Sequence, residues 1–573
     1  MIKLTHRHRA LMVVTGLSLA FTALACRLVD LQIFRHAALS REAASNREQI
    51  IHRQGRRGEI RDCNGNMLAN SQSVRIIAAD PSITTSNAPA IARQLAPWLK
   101  MDEASLTTRL TGSGKYVRLK LKVDEDTVTQ IKALKIKGLV FEDQFLRTYP
   151  NGPLASHVIG FVDNDHKGVQ GIEAGLDKYL TGVAGYEVIE RDRKGREIRA
   201  NRDEEIGPRD GYNVVLTVDQ VIQHIAEVEL EKAMEEFHPQ AGVIIVSRPK
   251  TGEILAMSSR PTFDPNNPGG FSADARRNRC VSDVAEPGST FKIVVCSGAL
   301  NDGLVTLADR FDCEHGAWSF AGRILHDSHP YGVLSVEEIL FHSSNIGAAK
   351  IGVTKLGAAR LYDYIRAYGF GHKTGIDLPG EVSGIAHPLA KWNPLSISRI
   401  PMGHEIAATP LQMMMAMNAI ANGGHLMKPV IVKSVVDENN MSVAKFQSQE
   451  VRQPITLRAS ILMATALRRV ASPEGTAPKA AVKGYDVAGK TGTAEKIENG
   501  QYVKKYYSSF IGYLPAADPE ISILVSLDNP VGGAYYGGSV AGPVFRGVAE
   551  KVTQYLSIPP QFPDADEKKV AKL

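Results

Sequence analysis

The chain has 573 residues, of which 43% are hydrophobic and 22% charged, and it carries a formal net charge of +6. That length exceeds one ordinary core, so two or more domains are expected, and the ordinary composition excludes wholesale disorder. The small basic excess is spread out, with no concentrated stripe; this argues against nucleic acid as a partner and reads as a solvated face suited to anionic lipid or acidic wall polymer.

Lys3, Arg7 and Arg9 precede an apolar run from Ala10 to Cys26, which Leu28, Val29, Leu31, Ile33 and Phe34 extend past Arg27 and Asp30. A membrane-spanning helix needs roughly 20 residues, with a lower limit near 17, and charges at its edge can snorkel. The pattern predicts a cytoplasmic segment over 1–9 and a transmembrane anchor over 10–34. A rival reading is a cleaved signal peptide, because Ala23-Leu24-Ala25 fits a cleavage site and Cys26 follows it. Both readings place the remainder outside the cytoplasm.

Residues 35–213 show no long helical repeat and many turn signals, such as Asp62-Cys63-Asn64-Gly65-Asn66 and Pro150-Asn151-Gly152. The charge-dense stretch Glu190 to Gly211 reads as an exposed connector or a hairpin of edge strands. From Val214 the pattern changes. Val214-Val215-Leu216 predicts a strand, Thr217 and Asp219 are cap-type residues, and Val221, Ile225, Val228, Leu230 and Met234 follow at near-helical spacing. Gly242–Ser247 and Glu253–Met257 predict two strands around a Lys250-Thr251-Gly252 turn, and a second hairpin-like segment lies near Ile521–Leu527. The boundary near 557 leaves a proline-containing, charged ending, 558–573, that reads as a disordered tail. The five cysteines (Cys26, Cys63, Cys280, Cys296 and Cys313) form no C-x-x-C pair and read as buried, unpaired small hydrophobes, with a bridge between two of them left open. No metal cluster or nucleotide loop is present, so no cofactor is predicted.

Three short motifs carry the chemistry. Pro287-Gly288 makes a turn, and Ser289 and Lys292 then share one face at the start of an apolar helix. There the backbone N–H groups favour developing negative charge, and a buried lysine can become neutral and take a proton from a neighbouring serine. Alone, this tetrad reads more readily as a capping serine and a surface lysine, since such tetrads occur often by chance. Ser343-Ser344-Asn345 alone is explained by a loop with cap residues. Lys490-Thr491-Gly492-Thr493 offers a cation, two hydroxyls and a glycine that permits close approach to the backbone; its bland reading is a bulge in an edge strand. The order S-x-x-K, S-x-N, K-T-G, with 54 residues from Ser289 to Ser343 and 147 from Ser343 to Lys490, is far more specific than any one motif. It is the set of penicillin-binding proteins and class A β-lactamases.

The match is wider than these motifs. Arg57-Gly58-Glu59-Ile60-Arg61-Asp62, with Asn64-Gly65 and Leu68-Ala69, and Gly168-Val169-Gln170-Gly171-Ile172-Glu173 resemble the non-catalytic domain of class B penicillin-binding proteins. Arg277-Asn278-Arg279, Gly403–Ile406 with Thr409–Gln412, Asp528-Asn529-Pro530, Tyr535–Gly538 and Ala541–Phe545 resemble the cell-division branch. The resemblance implies an α+β multidomain protein: one N-terminal transmembrane helix, a mixed α/β pedestal over 35–213, and a transpeptidase domain over 214–557 with a five-stranded antiparallel sheet between helical regions. It implies a peptidoglycan D,D-transpeptidase that is a target of β-lactams. Ser289 would attack D-Ala-D-Ala and Lys292 would be the base. Ser343 and Asn345 would relay protons and hold substrate, and Lys490 would bind a carboxylate with Thr491, Gly492 and Thr493. The N–H groups of Ser289 and Thr493 would form the oxyanion hole. Implied partners are donor and acceptor stem peptides, a membrane glycan polymerase and other division proteins. Cys280 departs from many relatives; it and Cys296 read as structural.

Four functions compete: septal transpeptidase, elongation-type transpeptidase, division scaffold with decayed activity, and β-lactamase. Residues 346–489 contain no E-x-x-L-N segment to supply a deacylating base, which argues against the last. Intact Ser289, Lys292, Ser343, Asn345, Lys490 and Gly492 argue against decay.

Overall fold

A computed structural model describes residues 2–190, 205–498 and 500–562. The chain divides into two compact units, 1–56 with 182–211, and 57–181 with 212–573. In the first unit, a helix Ile2–Val29 runs into a π-turn Asp30–Phe34 and then a helix His36–Arg47. His6–Phe34 is long and apolar enough to cross a membrane, and its residues are exposed all round, including Leu17, Phe21 and Leu24. Strand Glu48–Arg53 pairs antiparallel with Gly185–Glu190, which pairs with Glu205–Ile206. The hairpin reading of the charge-dense stretch therefore has its two ends in strands; its middle, 191–204, lies outside the described residues.

The second unit holds a seven-stranded sheet. Its order is Ser442–Lys445, Val432–Val436, Asn213–Leu216, Ile60–Arg61, Met67–Ala79 and Val117–Val123, with Leu139–Thr148 also paired to Met67–Ala79. Helices Ala88–Leu99, Glu103–Leu110 and Glu125–Ala133 close one core on it, around Ile77, Leu95, Leu106, Leu119 and Ile131. At 12, 8 and 9 residues, these helices are too short to build a long helical repeat. Two are fixed by aspartate caps, Asp102 accepting from Ser105 N and Asp124 from Thr127 N.

A buried charge cluster ties the two N-terminal family segments together. Glu173, fully buried, accepts from Arg57 Nε at 2.6 Å and from Arg147 Nε at 2.6 Å. Tyr149 Oη donates to it at 3.3 Å, Arg57 also pairs with Asp177 at 2.7 Å, and Arg147 Nη1 donates to Gly58 O at 2.7 Å.

Asp219 caps helix α1 (Gln220–Phe237), its side chain accepting from Val221 N and Ile222 N. Strands β1 (Ala241–Ser247) and β2 (Ile254–Arg260) follow. Helices α2 (Lys292–Asn301), α3 (Asn345–Ile351) and α4 (Pro410–Ala421) come next, then β3 (Ala488–Glu498), β4 (Gln501–Leu514), β5 (Ile521–Asp528) and α5 (Gly537–Tyr555). The five strands form one antiparallel sheet in the order β2-β1-β5-β4-β3. Alternate residues of β1 enter two cores: Ile244 and Val246 join Leu230, Val525 and Phe545 from α1, β5 and α5, whereas Val243 and Ile245 join Met414 and Met417 from α4. A strand buried on both faces reads as a continuous apolar run, which is why it is legible in sequence. All five cysteines are free, and Cys280, Cys296 and Cys313 are buried. At the C-terminus the described chain stays attached beyond 557, since Ile558 is buried and Phe562 N donates to Gly484 O at 3.0 Å; 563–573 lie outside the described residues.

Replacing Glu173 by alanine leaves two buried guanidiniums facing each other. The expected cost is about 3–5 kcal/mol, read as a lowered thermal midpoint by circular dichroism. An unchanged midpoint would show that the cluster does not hold this region together.

Candidate active site

Gly288, at φ +54°, lets the chain turn from Pro287 into a 3₁₀ turn, Gly288–Phe291, that leads directly into α2. Ser289 is half-buried in that turn, and Lys292 is the first residue of α2 and fully buried. The expected geometry is present: Lys292 Nζ lies 3.0 Å from Ser289 Oγ. The same nitrogen donates to Asn345 Oδ1 at 2.8 Å and to Ser343 O, and lies 3.2 Å from Ser343 Oγ. Lys490, also fully buried, donates to Ser343 Oγ at 2.8 Å and to its neighbour Thr491 O at 3.3 Å. Ser289, Ser343 and Asn345 thus converge on the two amines of Lys292 and Lys490.

No carboxylate touches either amine among the described residues. Burial lowers the Lys292 ammonium to about 7, against the opposing pull of Asp327. Burial, and then the neighbouring Lys292 charge, hold Lys490 well below the ordinary lysine range. A neutral amine 3.0 Å from a hydroxyl can accept its proton.

Ser343 has φ +62°, a left-handed conformation that costs a serine free energy and needs support from its surroundings. That support comes from Asp327, which the sequence reading did not single out. Its carboxylate accepts from Ser344 Oγ at 2.7 Å, from Ile346 N at 3.1 Å and from Asn345 N. It sits at the N-terminus of α3, where N–H groups and the helix dipole favour an anion. Asn345 Nδ2 donates to His326 O at 3.0 Å, so both ends of the Asn345 amide are fixed. Asp327 carries no sequence signal because it lies in a polar loop, His326-Asp327-Ser328-His329, with no helical or strand period.

Lys490-Thr491-Gly492-Thr493 lies on β3, which is the edge strand but runs in regular register with β4 from Ala488 to Glu495; the register shift comes later, between Glu495 and Lys496. Gly492 is required by packing: a Cβ there would run into Ser509 Oγ and stand 2.9 Å from Thr290 Cγ2, so β3 passes directly against the serine turn. Thr491 Oγ1 is 3.0 Å from Thr476 Oγ1, and Thr493 Oγ1 accepts from Gly537 N at 3.1 Å. The segment before Gly537 builds a stack, with Tyr535 4.3 Å from Tyr506 and 4.5 Å from Tyr536 between ring centroids. Ahead of the serine, Glu286 accepts from Tyr502 Oη at 3.1 Å and meets His404 Nδ1 at 3.0 Å, tying the β3–β4 hairpin and the 403–405 loop to the turn. Cys280 donates to Ser258 O at 3.4 Å, and burial pushes the Cys296 thiol up to about 12, so both are neutral packing groups.

A half-buried serine beside a desolvated lysine, on a five-stranded sheet packed between helices, defines the acyl-serine penicillin-binding class of enzymes. Residues 242–550 match the penicillin binding protein transpeptidase domain and residues 52–216 the penicillin-binding protein dimerisation domain. The chain is 34% identical over 572 residues to stage V sporulation protein D of Bacillus subtilis, covering 98% of this chain and 88% of that one. It is 32% identical over 553 residues to peptidoglycan D,D-transpeptidase FtsI of Escherichia coli, covering 95% and 91%. Penicillin binding protein 3 of Mycobacterium tuberculosis, solved in complex with aztreonam, superposes with a TM-score of 0.70 at 27% identity, covering 90% of this chain and 100% of that one. The chain belongs to the class B penicillin-binding proteins and is a serine-type peptidoglycan D,D-transpeptidase of the FtsI kind.

Asp327→Ala removes the anion from the start of α3 and frees the N–H groups of Asn345 and Ile346. The expected cost is roughly 1–2 kcal/mol of stability. Penicillin acylation should slow by more than that loss of folded protein explains, by about tenfold or more. Acylation at the wild-type rate by folded variant would show that Asp327 does not position the site.

Proposed function

We propose that Ser289 is the acylated nucleophile and that neutral Lys292 is its base; the observation that carries this is the 3.0 Å approach of Lys292 Nζ to Ser289 Oγ in a buried pocket. The two N–H groups of a neutral amine are taken by Ser343 O and Asn345 Oδ1, which only accept. Its lone pair is then free for the Ser289 hydroxyl proton. The Ser289 oxygen attacks the carbonyl of the penultimate D-Ala of a stem peptide. The peptide C–N bond breaks, and the leaving D-Ala takes a proton through Ser343, whose Oγ lies within reach of both lysines. The N–H groups of Ser289 and Thr493 stabilise the oxyanion. An amine from a second strand then attacks the ester, releases Ser289 and completes the cross-link. Lys490, with Thr491, Gly492 and Thr493, receives the terminal carboxylate of the donor. A β-lactam takes the same path as far as the acyl-enzyme.

We place this chemistry outside the cytoplasm, on a single-pass anchor over 10–34 with 1–9 inside, a pedestal over 35–213 and a transpeptidase domain over 214–557. We assign the enzyme to the division septum, beside a membrane glycan polymerase and other division proteins. The likeness to FtsI and the Tyr535–Phe545 segment support the septal over the elongation role.

Three measurements test the reading. Full-length protein should label with fluorescent penicillin, hold the label for hours, and lose labelling in Ser289→Ala. The acylation rate should rise with pH through about 7 and level off above it, because Lys292 is charged and unable to accept a proton below that value and neutral above it. Label that decays within seconds would indicate a hydrolase. A flat pH profile would remove Lys292 as base, and absence of label on folded protein would favour a scaffold. In cells, depletion should give filaments with blocked septa; round, swollen cells would overturn the septal assignment.

A further inference from the structure

A second cavity, of about 530 Å³, lies in the same compact unit, lined by none of the active-site residues. One wall is formed by the two strands that flank Met67–Ala79, Val117–Val123 with Arg118 and Leu139–Thr148 with Arg147; the other is formed by the 161–166 loop and the 265–276 segment, which contributes Arg276. Three guanidiniums thus line one space of the size that encloses a small organic ligand. Arg147 is 5% exposed, and its Nη2 meets no protein acceptor although Nε and Nη1 are both engaged. Arg276 Nε is likewise buried without a protein acceptor, and its guanidinium lies over the Phe161 ring at 5.6 Å. Arg118 and Arg276 have no carboxylate partner among the described residues. The acid lining the space, Asp163, has its Oδ1 committed to Asp165 N at 2.9 Å and Lys167 N at 3.0 Å. Glu173 is shared between Arg57 and Arg147. His166, also in the lining, is held below the ordinary imidazole range by burial and then by Arg57, with Asp163 opposing and Arg118 and Arg147 adding smaller effects in the same direction as Arg57.

Buried guanidinium N–H groups left without acceptors are costly, and a forked guanidinium fits a carboxylate or phosphate with two parallel hydrogen bonds. The geometry points to a second ligand site in which Arg118, Arg147 and Arg276 bind the oxyanion group, carboxylate or phosphate, of a small organic ligand. Arg147 supplies the fixed buried contact; Arg118, exposed at the rim, and Arg276 complete the charge.

The test uses full-length protein in detergent micelles after acylation by penicillin, so that the transpeptidase site is filled. Calorimetry then measures binding of inorganic pyrophosphate and, separately, of N-acetylmuramyl dipeptide with its carboxylates free or amidated. Binding of either anionic probe is expected. Binding of pyrophosphate alone identifies a phosphate site; binding of the dipeptide that is lost on amidation identifies a carboxylate site. The double variant Arg118→Gln, Arg276→Gln should weaken binding by about tenfold or more, the equivalent of one charge-assisted hydrogen bond, with the acylation rate unchanged. Arg118→Glu, which alters only an exposed side chain, should do the same. The dipeptide arm rests on peptidoglycan being the substrate, whereas the pyrophosphate arm does not. Acylation measured on the same sample separates failure of this site from failure of the transpeptidase reading. No binding of either probe by the acylated protein, or binding equal in wild type and variants, would overturn the proposal.

Discussion

The active site depends on two lysine side chains buried without a carboxylate in contact. Lys292 and Lys490 are both fully buried, and their polar neighbours are neutral oxygens: Ser289 Oγ, Ser343 O and Oγ, Asn345 Oδ1 and Thr491 O. An ammonium in such surroundings loses far more hydration than neutral acceptors return, so the pocket favours free amines and each lysine opposes the charging of the other. The result is an amine with an available lone pair on Lys292 and, beside it, a second amine on Lys490 that is held from charging. Both amines owe this to the same exclusion of water, to which the buried run of α2 from Lys292 to Leu300 contributes.

A comparison within the molecule separates this from ordinary buried charge. Around Glu173, two guanidiniums converge on one carboxylate, and Tyr149 adds a further hydrogen bond. There the opposite charges compensate one another and the cluster serves as a structural tie. In the transpeptidase site two amines converge on one hydroxyl, Ser343 Oγ, with the nearest acid, Asp327, turned to the N–H groups of α3. Uncompensated burial is tolerable only because the surrounding fold over-determines the positions. Gly288 and Gly403 pack backbone to backbone, Gly492 lies against Thr290, and Ser343 is held in a left-handed conformation by the hydrogen bonds that follow it.

Most of this site was legible because its chemistry sits in short, ordered motifs. Ser289 and Lys292 are one helical turn apart, so their proximity follows from local geometry. That Ser343, Asn345 and Lys490 join them does not, and came from the resemblance. Strands β1 and β2, the cap Asp219 and helix α1 were equally readable, because burial on both faces and a capped amphipathic run leave strong patterns. The short helices of 88–133 were missed, since 8 to 12 residues with a partial apolar face hardly differ from turn-rich sequence. Asp327 and the Glu286–His404–Tyr502 contact were invisible for another reason: each acts through tertiary neighbours far away in sequence, and a lone polar residue in a loop gives no period to detect.

The sheet topology shows why one compact unit contains segments that sequence assigns to two domains. Ile60–Arg61 lies parallel to Asn213–Leu216, which in turn pairs antiparallel with Val432–Val436. Parallel neighbours cannot be joined by a hairpin and require a crossover. Here the crossover is the whole of 62–212, so most of the segment read as a pedestal, though not its first part, runs between two adjacent strands of a sheet that continues into the transpeptidase segments. A change at Arg57 or Glu173 therefore acts on the contact between the chain just before Ile60 and the interior of that crossover. Arg57 Nη2 donates to Glu173 O at 2.8 Å, and Arg147 Nη1 to Gly58 O, so side chain and backbone are exchanged in both directions between the start of strand Ile60–Arg61 and the interior of the crossover. The buried charge cluster thus closes the loop from Arg57 to Glu173 within it. Because the free-energy cost of closure grows only slowly with loop length, a few buried ionic hydrogen bonds offset much of the cost of closing so long a segment.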